Sequence, residues 1–431
     1  MAELRAFRAL RYNPAVVPNL AAVVAPPYDV IGTAQRDALY ARDQRNVVRL
    51  ILNRSTDPYG EAAALLRAWR QEQVLVQDRQ PALCYCVETF TLPDGTPRQR
   101  AGVMGVVRLE PFTSGRIRPH ERTFASAKED RMRLLQACRT NLSPIFGLFA
   151  DAETALDPGK LFAAAHAPDV EVRDDSGAQQ RLWLLREPAV IEAITGALAA
   201  ETIYIADGHH RYETALAYAE QRRAAGAADA DAAHNFVMMY LAGMHDPGLV
   251  ILQTHRVCAK IEGVESREVL TRLRQHFHMR PFPRAERAAF RAALGAAASL
   301  ASFGLALAGH DELFVATLED RAALMRVCGH LHPSVRVLDV AVLDSLVLRG
   351  LLGIDCTAAA QGGRLTYTHD DDSALDAVVR GAQAAFLVNP PRISDLLAVC
   401  RAGQTMPEKS TYFYPKLLTG LAFHPLDETA G

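Results

Sequence analysis

Residues 202–211 read Thr-Ile-Tyr-Ile-Ala-Asp-Gly-His-His-Arg, and this stretch indicates how the chain around it folds. Its first half is a β-branched and aromatic run, which is typical of a buried strand. Residues 212–223 are rich in strong helix formers and carry Leu216 and Ala219 at helical spacing. The sequence therefore predicts a strand, a tight turn at residues 207–211 and a helix.

The predicted turn contains the side chains of a phosphate site. Backbone N–H groups and the helix dipole favour an anion at such a turn. Gly208 would let a phosphate approach the backbone, while His209, His210 and Arg211 would donate charge-assisted hydrogen bonds. Asp207 could hold Mg²⁺ against the phosphates or accept a proton from a hydroxyl group.

A transition-metal site is the alternative reading of the same turn. Adjacent histidines on a helix point about 100° apart, unlike the i, i+4 pair that binds zinc. A third reading, in which the histidines only cap the helix and fill a core, leaves the nearby acid and guanidinium unexplained. We therefore expect phosphate binding.

The composition is that of a globular protein, with 49% hydrophobic and 22% charged residues in 431. That length suits two or three domains. A formal net charge of −2 argues against bulk capture of nucleic acid or anionic membrane. There is no apolar run of signal-peptide or membrane-span length, and the seven cysteines are scattered, as in a reducing compartment. We expect a cytoplasmic protein.

Strand and helix patterns alternate along the chain, which predicts a mixed α/β or α+β architecture. Strand patterns at 82–91 and 102–109 flank the turn Pro-Asp-Gly at 93–95, which predicts a hairpin. Near residue 260 the pattern changes to long helices rich in alanine and arginine. We therefore predict one domain over residues 1–260, which carries the turn, and a helix-rich α/β domain over residues 261–431. The oligomeric state is left open, and a homo-oligomer is one option.

Two further places carry candidate site residues. His120 and Glu121 follow a loop and precede a charged helix, where a glutamate can act as a general base and a histidine can donate to an oxyanion or a phosphate. The alternative is that His120 and Glu121 form only a solvent-exposed connection from the loop to the helix. Asp29 follows a double proline at the end of a strand, where functional loops often lie, although it could equally cap a rigid turn.

The segment 406–416, Met-Pro-Glu-Lys-Ser-Thr-Tyr-Phe-Tyr-Pro-Lys, is unusually dense in hydrogen-bond donors. A segment this polar near a terminus frays unless it docks. We expect it to pack near the active site, with Lys409 toward an anion, or else to serve as a docking strap or an oligomer contact.

Five motifs together resemble the prokaryotic domain-of-unknown-function 1015 (DUF1015) family. They are Ala-Pro-Pro-Tyr-Asp-Val-Ile at 25–31, Pro-His-Glu-Arg-Thr at 119–123, Ile-Ala-Asp-Gly-His-His-Arg-Tyr-Glu-Thr at 205–214, Thr-His-Arg at 254–256 and the segment at 406–416. They occur in the family's order and run almost end to end, so the chain is identified as a member.

The turn at 207–211 is also similar to one in the ParB, sulfiredoxin and free-serine-kinase superfamily. That resemblance implies a mixed core of this type, with Gly208, His209, His210 and Arg211 binding the phosphates of a nucleotide such as ATP or ADP. It places Asp207 as the acid beside the nucleotide. A separate acid assists phosphoryl transfer in that superfamily, and Glu121 is our candidate for it from its position in a loop.

The leading hypothesis is a nucleotide- and Mg²⁺-dependent kinase that phosphorylates a small hydroxylated metabolite, possibly serine-like. In it, His120 and the turn stabilise charge on the transferred phosphoryl group, and Asp207 and Glu121 handle the hydroxyl and the metal. The alternatives are a non-catalytic regulator that binds a nucleotide or phosphometabolite, and a metal-dependent hydrolase. We expect the turn to be half of a site completed by His120, Glu121 and possibly Asp29.

Overall fold

The structure is a computed structural model that describes residues 2–121, 125–150, 167–227, 229–298 and 301–427, without the side chains of 125–127. It is a mixed α/β protein that divides into two compact units. Unit 1 comprises Met1–Pro119, Thr123–Val250 and Pro415–Gly431, and unit 2 comprises His120–Arg122 and Ile251–Tyr414. The domain boundary at residue 260 stays a prediction, as does the ParB/sulfiredoxin-like character of the core.

The strands are β1 (Leu4–Arg5), β2 (Leu10–Tyr12), β3 (Leu75–Gln77), β4 (Leu83–Thr91), β5 (Pro97–Arg108), β6 (Ile117–Pro119), β7 (Thr140–Asn141), β8 (Ile145–Phe149), β9 (Val170–Arg173), β10 (Gln179–Leu185), β11 (Ile203–Asp207), β12 (Phe236–Gly243), β13 (Val250–Leu252), β14 (His255–Cys258), β15 (Phe277–Pro283), β16 (Ser302–Leu307), β17 (Glu312–Leu318), β18 (Leu365–Thr368), β19 (Ala384–Leu387), β20 (Tyr412–Tyr414) and β21 (His424–Pro425).

The α-helices of unit 1 are Thr33–Arg42, Val48–Ile51, Pro58–Gln71, Ala125–Cys138, Pro188–Ala199 and His209–Ala224. Those of unit 2 are Ser266–Leu273, Arg287–Ala296, Arg321–Cys328, Pro333–Arg336, Asp339–Val342, Cys356–Gln361, Asp371–Val379 and Ile393–Arg401, with a π-helix at Leu343–Leu351. Short 3₁₀ turns occur at Leu20–Ala22, Tyr28–Val30, Phe112–Ser114 and Ala233–Asn235. Within these described ranges, no helix combines the length and the apolarity needed to cross a bilayer.

Unit 1 is built on a nine-stranded mixed sheet in the order β6-β11-β8-β12-β5-β4-β10-β9, with β1 beside β5. Its central strand β12 is buried along its whole length, which explains why its sequence is a continuous apolar run and does not alternate. One core cluster includes Met239 and Leu241 of this strand, Ile194 from the helix Pro188–Ala199 and Tyr212 from the helix His209–Ala224. Both helices therefore bury their apolar side chains against one face of the sheet.

Unit 2 is built on a six-stranded antiparallel sheet in the order β15-β17-β16-β19-β14-β18. Successive residues of β19 belong to different cores: Phe386 to one with the π-helix and Ser266–Leu273, and Leu387 to one with Arg287–Ala296 and Asp371–Val379. Since helices cover both faces, β16 and β19 are buried at every position.

The predicted hairpin and the predicted strand–turn–helix are both confirmed. β4 and β5 pair antiparallel up to Thr91 and Pro97, around the predicted turn at Asp94 and Gly95. β5 begins before residue 102, the predicted start, because its polar first residues also pair with β4. β11 is followed directly by Gly208 and the helix that begins at His209.

Candidate functional site

The turn that follows β11 has the backbone that a phosphate site requires. Gly208 has φ +91°, in the left-handed region that favours glycine. The helix His209–Ala224 starts at the next residue, and no acidic side chain lies in its first turn. The positive end of a long helix is therefore not neutralised by a carboxylate on its own first turn.

A register shift in β11 directs Asp207 toward the polar face of the sheet. Ile205 lies opposite Gly147 of β8, but Asp207 lies opposite Phe146, so two residues of β11 face one of β8. Such bulges redirect a side chain and are common next to active sites. Phe146 in turn lies opposite Tyr240 of β12, on the face of the sheet that does not carry Met239 and Leu241.

Asp207 is held between two cations, both within unit 1. Its Oδ2 accepts a hydrogen bond from Nη2 of Arg211 at 2.7 Å, and its Oδ1 accepts one from Nζ of Lys416. Burial raises the pKa of this carboxyl, but the charges of Lys416 and Arg211 outweigh burial and hold the pKa well below its usual value. Asp207 is therefore ionised at neutral pH, and its negative charge orients both cations.

Gly208 is also required by the position of Arg211. A Cβ atom at residue 208 would lie 2.9 Å from Nε and Nη2 of Arg211 and 3.0 Å from its Cζ. The guanidinium group is anchored by Asp207 and by the carbonyl of Pro144, which accepts from Nη1 at 2.5 Å. Nε is buried with no hydrogen-bond partner among the described residues. Arg211 thus lies folded back over the turn with one donor unused.

The two histidines of the turn occupy different environments. His209 is buried, and its charge, when protonated, contributes to the low pKa of Asp207. His210 is half-buried. Their assignment to phosphate binding stays a prediction.

A small pocket of about 60 Å³ in unit 1 is lined by Arg211 of the turn. Its other polar lining includes Tyr28, Arg131 and Thr214, and its apolar lining comes from Ile51, Leu134, Leu135, Leu142, Ile145 and Val237. The guanidinium of Arg131 lies 4.0 Å from the centre of the Tyr28 ring. Thr214 is 3% exposed, and its Oγ1 has no hydrogen-bond partner among the described residues. The pocket therefore combines apolar walls with cations and an unused hydroxyl group.

Asp29 lies beside the pocket residue Tyr28 in the 3₁₀ turn Tyr28–Val30, and it is exposed. Burial raises the pKa of Tyr28 to about 12, and the charge of Asp29 adds to this rise. Tyr28 is thus a neutral hydroxyl group at physiological pH. Among the described residues, the link from Asp29 to the pocket is therefore its charge, which acts on the neighbouring Tyr28.

His120 and Glu121 belong to unit 2, where residues 406–411 hold them. The His120 ring is buried, and its Nε2 lies 2.7 Å from Oγ1 of Thr411. Met406 N donates to the carbonyl of His120 at 2.7 Å, and Lys409 N donates to Oε1 of Glu121 at 2.8 Å. Two motifs that the sequence singled out separately are therefore one cluster.

Lys416 is the site residue that sequence reasoning missed. The 406–416 segment was noted for its donors, but Lys409 was the lysine expected to meet an anion. In the structure the backbone N–H of Lys409 binds Glu121, and the side chain of Lys416 binds Asp207. The many hydrogen-bond donors of the segment indicate that it contacts acidic residues. They do not indicate which donor binds which carboxylate.

The predicted role of Asp207 as a Mg²⁺ ligand does not fit this arrangement. Each of its oxygens already accepts a hydrogen bond from a cation, so a metal ion would have to displace Lys416 or Arg211. Across the described part of the chain, no group of three or more His, Cys, Asp or Glu side chains is arranged to hold a metal ion. We therefore assign no step to a metal bound by Asp207.

A family model described as "Protein of unknown function (DUF1015)" matches residues 4–341. The chain belongs to the DUF1015 family. The match includes the turn of unit 1 and the His120–Glu121 pair, whereas residues 406–416 lie outside it. No curated protein matches this DUF1015 chain.

Several solved structures are similar to this DUF1015 protein at low identity. A mutant of free serine kinase in complex with ADP is 15% identical, with a TM-score of 0.36 over 72% of this chain and 86% of that chain. A conserved hypothetical protein from Pyrococcus furiosus is 15% identical, with a TM-score of 0.35 over 72% and 91%. SbnI with a C-terminal truncation, from Staphylococcus aureus, is 14% identical, with a TM-score of 0.34 over 73% and 85%. At these TM-scores we base no functional argument on the likeness.

Proposed function

We propose that this protein is a nucleotide-dependent phosphotransferase that acts on a small hydroxylated metabolite, with serine-like compounds as the first candidates. The observation that carries the proposal is the turn of unit 1, where an ionised Asp207 orients Arg211 and Lys416 beside the start of a long helix. Backbone N–H groups, a helix dipole and two fixed cations are the elements that bind phosphate groups and stabilise the charge of phosphoryl transfer.

In this proposal Gly208, His209, His210 and Arg211 bind the phosphates of ATP or ADP. A carboxyl group with so low a pKa is a weak base, so we assign Asp207 to orienting the cations and not to proton transfer.

We propose Glu121 as the base and His120 as a charge-stabilising donor. The hydroxyl oxygen of the metabolite attacks the terminal phosphorus, its proton passes to the carboxylate of Glu121, and the bond from phosphorus to the leaving nucleotide breaks. The support for Glu121 lies in unit 2, where the hydrogen bond from Lys409 N fixes Oε1 and so orients the carboxylate.

The test follows nucleotide conversion by mass spectrometry. Purified protein is incubated with ATP or ADP, Mg²⁺ and a pool of hydroxylated metabolites that includes serine. We expect conversion that depends on the metabolite, falls at least about tenfold in Asp207→Asn and persists in Asp175→Asn, which removes an exposed carboxylate of the same unit. Glu121→Gln should lower kcat and leave nucleotide affinity intact.

Three outcomes contradict the proposal. Tight nucleotide binding without conversion would identify a regulator. Stoichiometric zinc or manganese in the isolated protein, with no affinity for nucleotides, would identify a metal-dependent hydrolase. Equal conversion by Asp207→Asn and the unsubstituted protein would remove the turn from the reaction.

A further inference from the structure

Unit 1 contains a buried ion pair that the proposed chemistry does not use. Arg100 of β5 lies directly opposite Glu88 of β4, and their side chains are 0% and 3% exposed. Glu88 also accepts a hydrogen bond from Gln180 of β10. Removing two charges from water costs several kcal/mol per ion, and such pairs are often no more stabilising than apolar residues of the same volume. Stability alone is therefore a weak reason for this pair.

Arg100 also contacts residues outside the pair. Its Nη2, which binds Glu88, also donates to the carbonyl oxygen of Pro415 at 3.0 Å. The guanidinium carbon lies 4.7 Å from the centre of the Phe146 ring and 5.8 Å from that of Tyr240. The carboxylate of Glu88 and the two aromatic rings thus fix the position of the guanidinium group that donates to the Pro415 carbonyl.

The residue after Pro415 is Lys416, whose ammonium group binds Asp207. Asp207, Phe146 and Tyr240 lie opposite one another on β11, β8 and β12, and β5 is the next strand of the sheet. Residues 415 and 416 therefore lie on this face of the sheet. The carbonyl of Pro415 binds the Arg100 guanidinium near Phe146 of β8, and the side chain of Lys416 reaches the carboxylate on β11.

We propose that Arg100 is a positioning residue that holds the carbonyl of Pro415 and thereby fixes the ammonium group of Lys416 on Asp207. Glu88 holds Arg100 in place. The inference deepens the proposed function, on which its functional meaning rests, because it names the residues that hold Lys416, one of the two cations, at the phosphate site. Charge alone does not perform this task, since a guanidinium presents several donors in a rigid plane and an ammonium group does not.

The test titrates the side-chain carboxyl carbon of Asp207 by NMR, in protein labelled at aspartate and with the resonance assigned from Asp207→Asn. Lys416→Met should raise the midpoint by about 1–3 pH units, the usual effect of one adjacent opposite charge. Arg100→Lys keeps the charge opposite Glu88 but should still raise the midpoint by about 1 pH unit. The matched control is Arg108→Lys, on the same strand and paired with Glu3, which should leave the midpoint unchanged.

The proposal would be overturned if Arg100→Lys lowered the thermal midpoint of unfolding but left the Asp207 titration unchanged. The pair of Arg100 and Glu88 would then have only a structural role. Should that variant not fold, Pro415→Gly frees the backbone at the held carbonyl and is expected to raise the Asp207 midpoint in the same way. An unchanged midpoint there would equally overturn it.

The titration needs neither nucleotide nor metabolite, so the two proposals fail separately. If Arg100→Lys shifts the titration but the unsubstituted protein neither binds ADP nor converts a nucleotide, the positioning holds and the proposed function is wrong. If ADP binds, Arg100→Lys and Lys416→Met should each weaken that binding by about tenfold, the loss of one charge-assisted hydrogen bond.

Discussion

Replacing Gly208 with alanine separates two reasons for having glycine at the turn. Gly208 and Gly226 have nearly the same backbone angle, with φ +91° and +95°, on either side of the helix His209–Ala224. A Cβ atom at 226 meets no heavy atom within 4 Å, whereas one at 208 meets the guanidinium of Arg211 at 2.9 Å. Gly226→Ala therefore measures the backbone strain alone.

The structure gives different magnitudes for the two substitutions. The left-handed conformation costs an L-residue about 1–2 kcal/mol, which both variants should lose. At 208 the added methyl group also displaces Arg211 from Asp207, a charge-assisted hydrogen bond of about 1.5–3 kcal/mol between side chains that are 14% and 16% exposed. We expect Gly208→Ala to lower the free energy of unfolding by about 2.5–5 kcal/mol.

Urea unfolding followed by tryptophan fluorescence measures both variants, because Trp69 and Trp183 both lie in unit 1. In Arg211→Ala, the further loss caused by Gly208→Ala should shrink to the backbone strain, since no guanidinium remains to be displaced. Equal losses for Gly208→Ala and Gly226→Ala would refute the reasoning, because the position of Arg211 would then not depend on residue 208.

Burial lowers the pKa of His424 from 6.5 to about 4, so its neutral ring stabilises unit 1 fully above pH 6.5 and this contribution is lost as the pH falls toward 4. The loss is on the order of 3 kcal/mol, and His424→Gln should remove it from the pH dependence of unfolding while the exposed His330→Gln does not. Thr411→Val deletes the hydrogen bond to His120 and should destabilise unit 2 by about 1 kcal/mol in thermal unfolding. Thr317→Val is its control, at a half-buried position of β17 in the same unit where the described residues give the threonine no side-chain hydrogen bond. Equal effects of the two substitutions would contradict a specific contact.

The strand, turn and helix around residue 207 could be predicted because their determinants are local. A β-branched run, a glycine and a run of helix formers each affect the backbone within a few residues. Hydrophobic periodicity detects patterns over the same short range. The same holds for the hairpin of β4 and β5, whose turn residues lie between the two strands. The local sequence pattern thus predicts the position of the candidate turn and most of the side chains in it.

The partners of that turn could not be predicted, because they come from distant sequence. Lys416 lies 209 residues from Asp207, and Pro415 lies 315 residues from Arg100. Nothing in the pattern around Arg100 distinguishes a buried guanidinium from a solvated one, and the polar start of β5 reads as part of a turn. The low pKa of Asp207 depends on the distant Lys416 as well as on the nearby Arg211, so it could not be predicted from the residues around Asp207 alone.

Unit 1 is interrupted in sequence: the chain leaves it after Val250 and returns at Pro415. A ribosome adds roughly 5–20 residues per second, so about 10–30 s separate the synthesis of Val250 from that of Lys416. During that interval the nascent unit 1 has Asp207 and Arg100 but neither Lys416 nor the Pro415 carbonyl. The contacts of both side chains with residues 415 and 416 are therefore acquired only after the whole of unit 2 has been translated. Any early folding of unit 1 must proceed with Asp207 paired to Arg211 and Arg100 paired to Glu88, but without these later contacts.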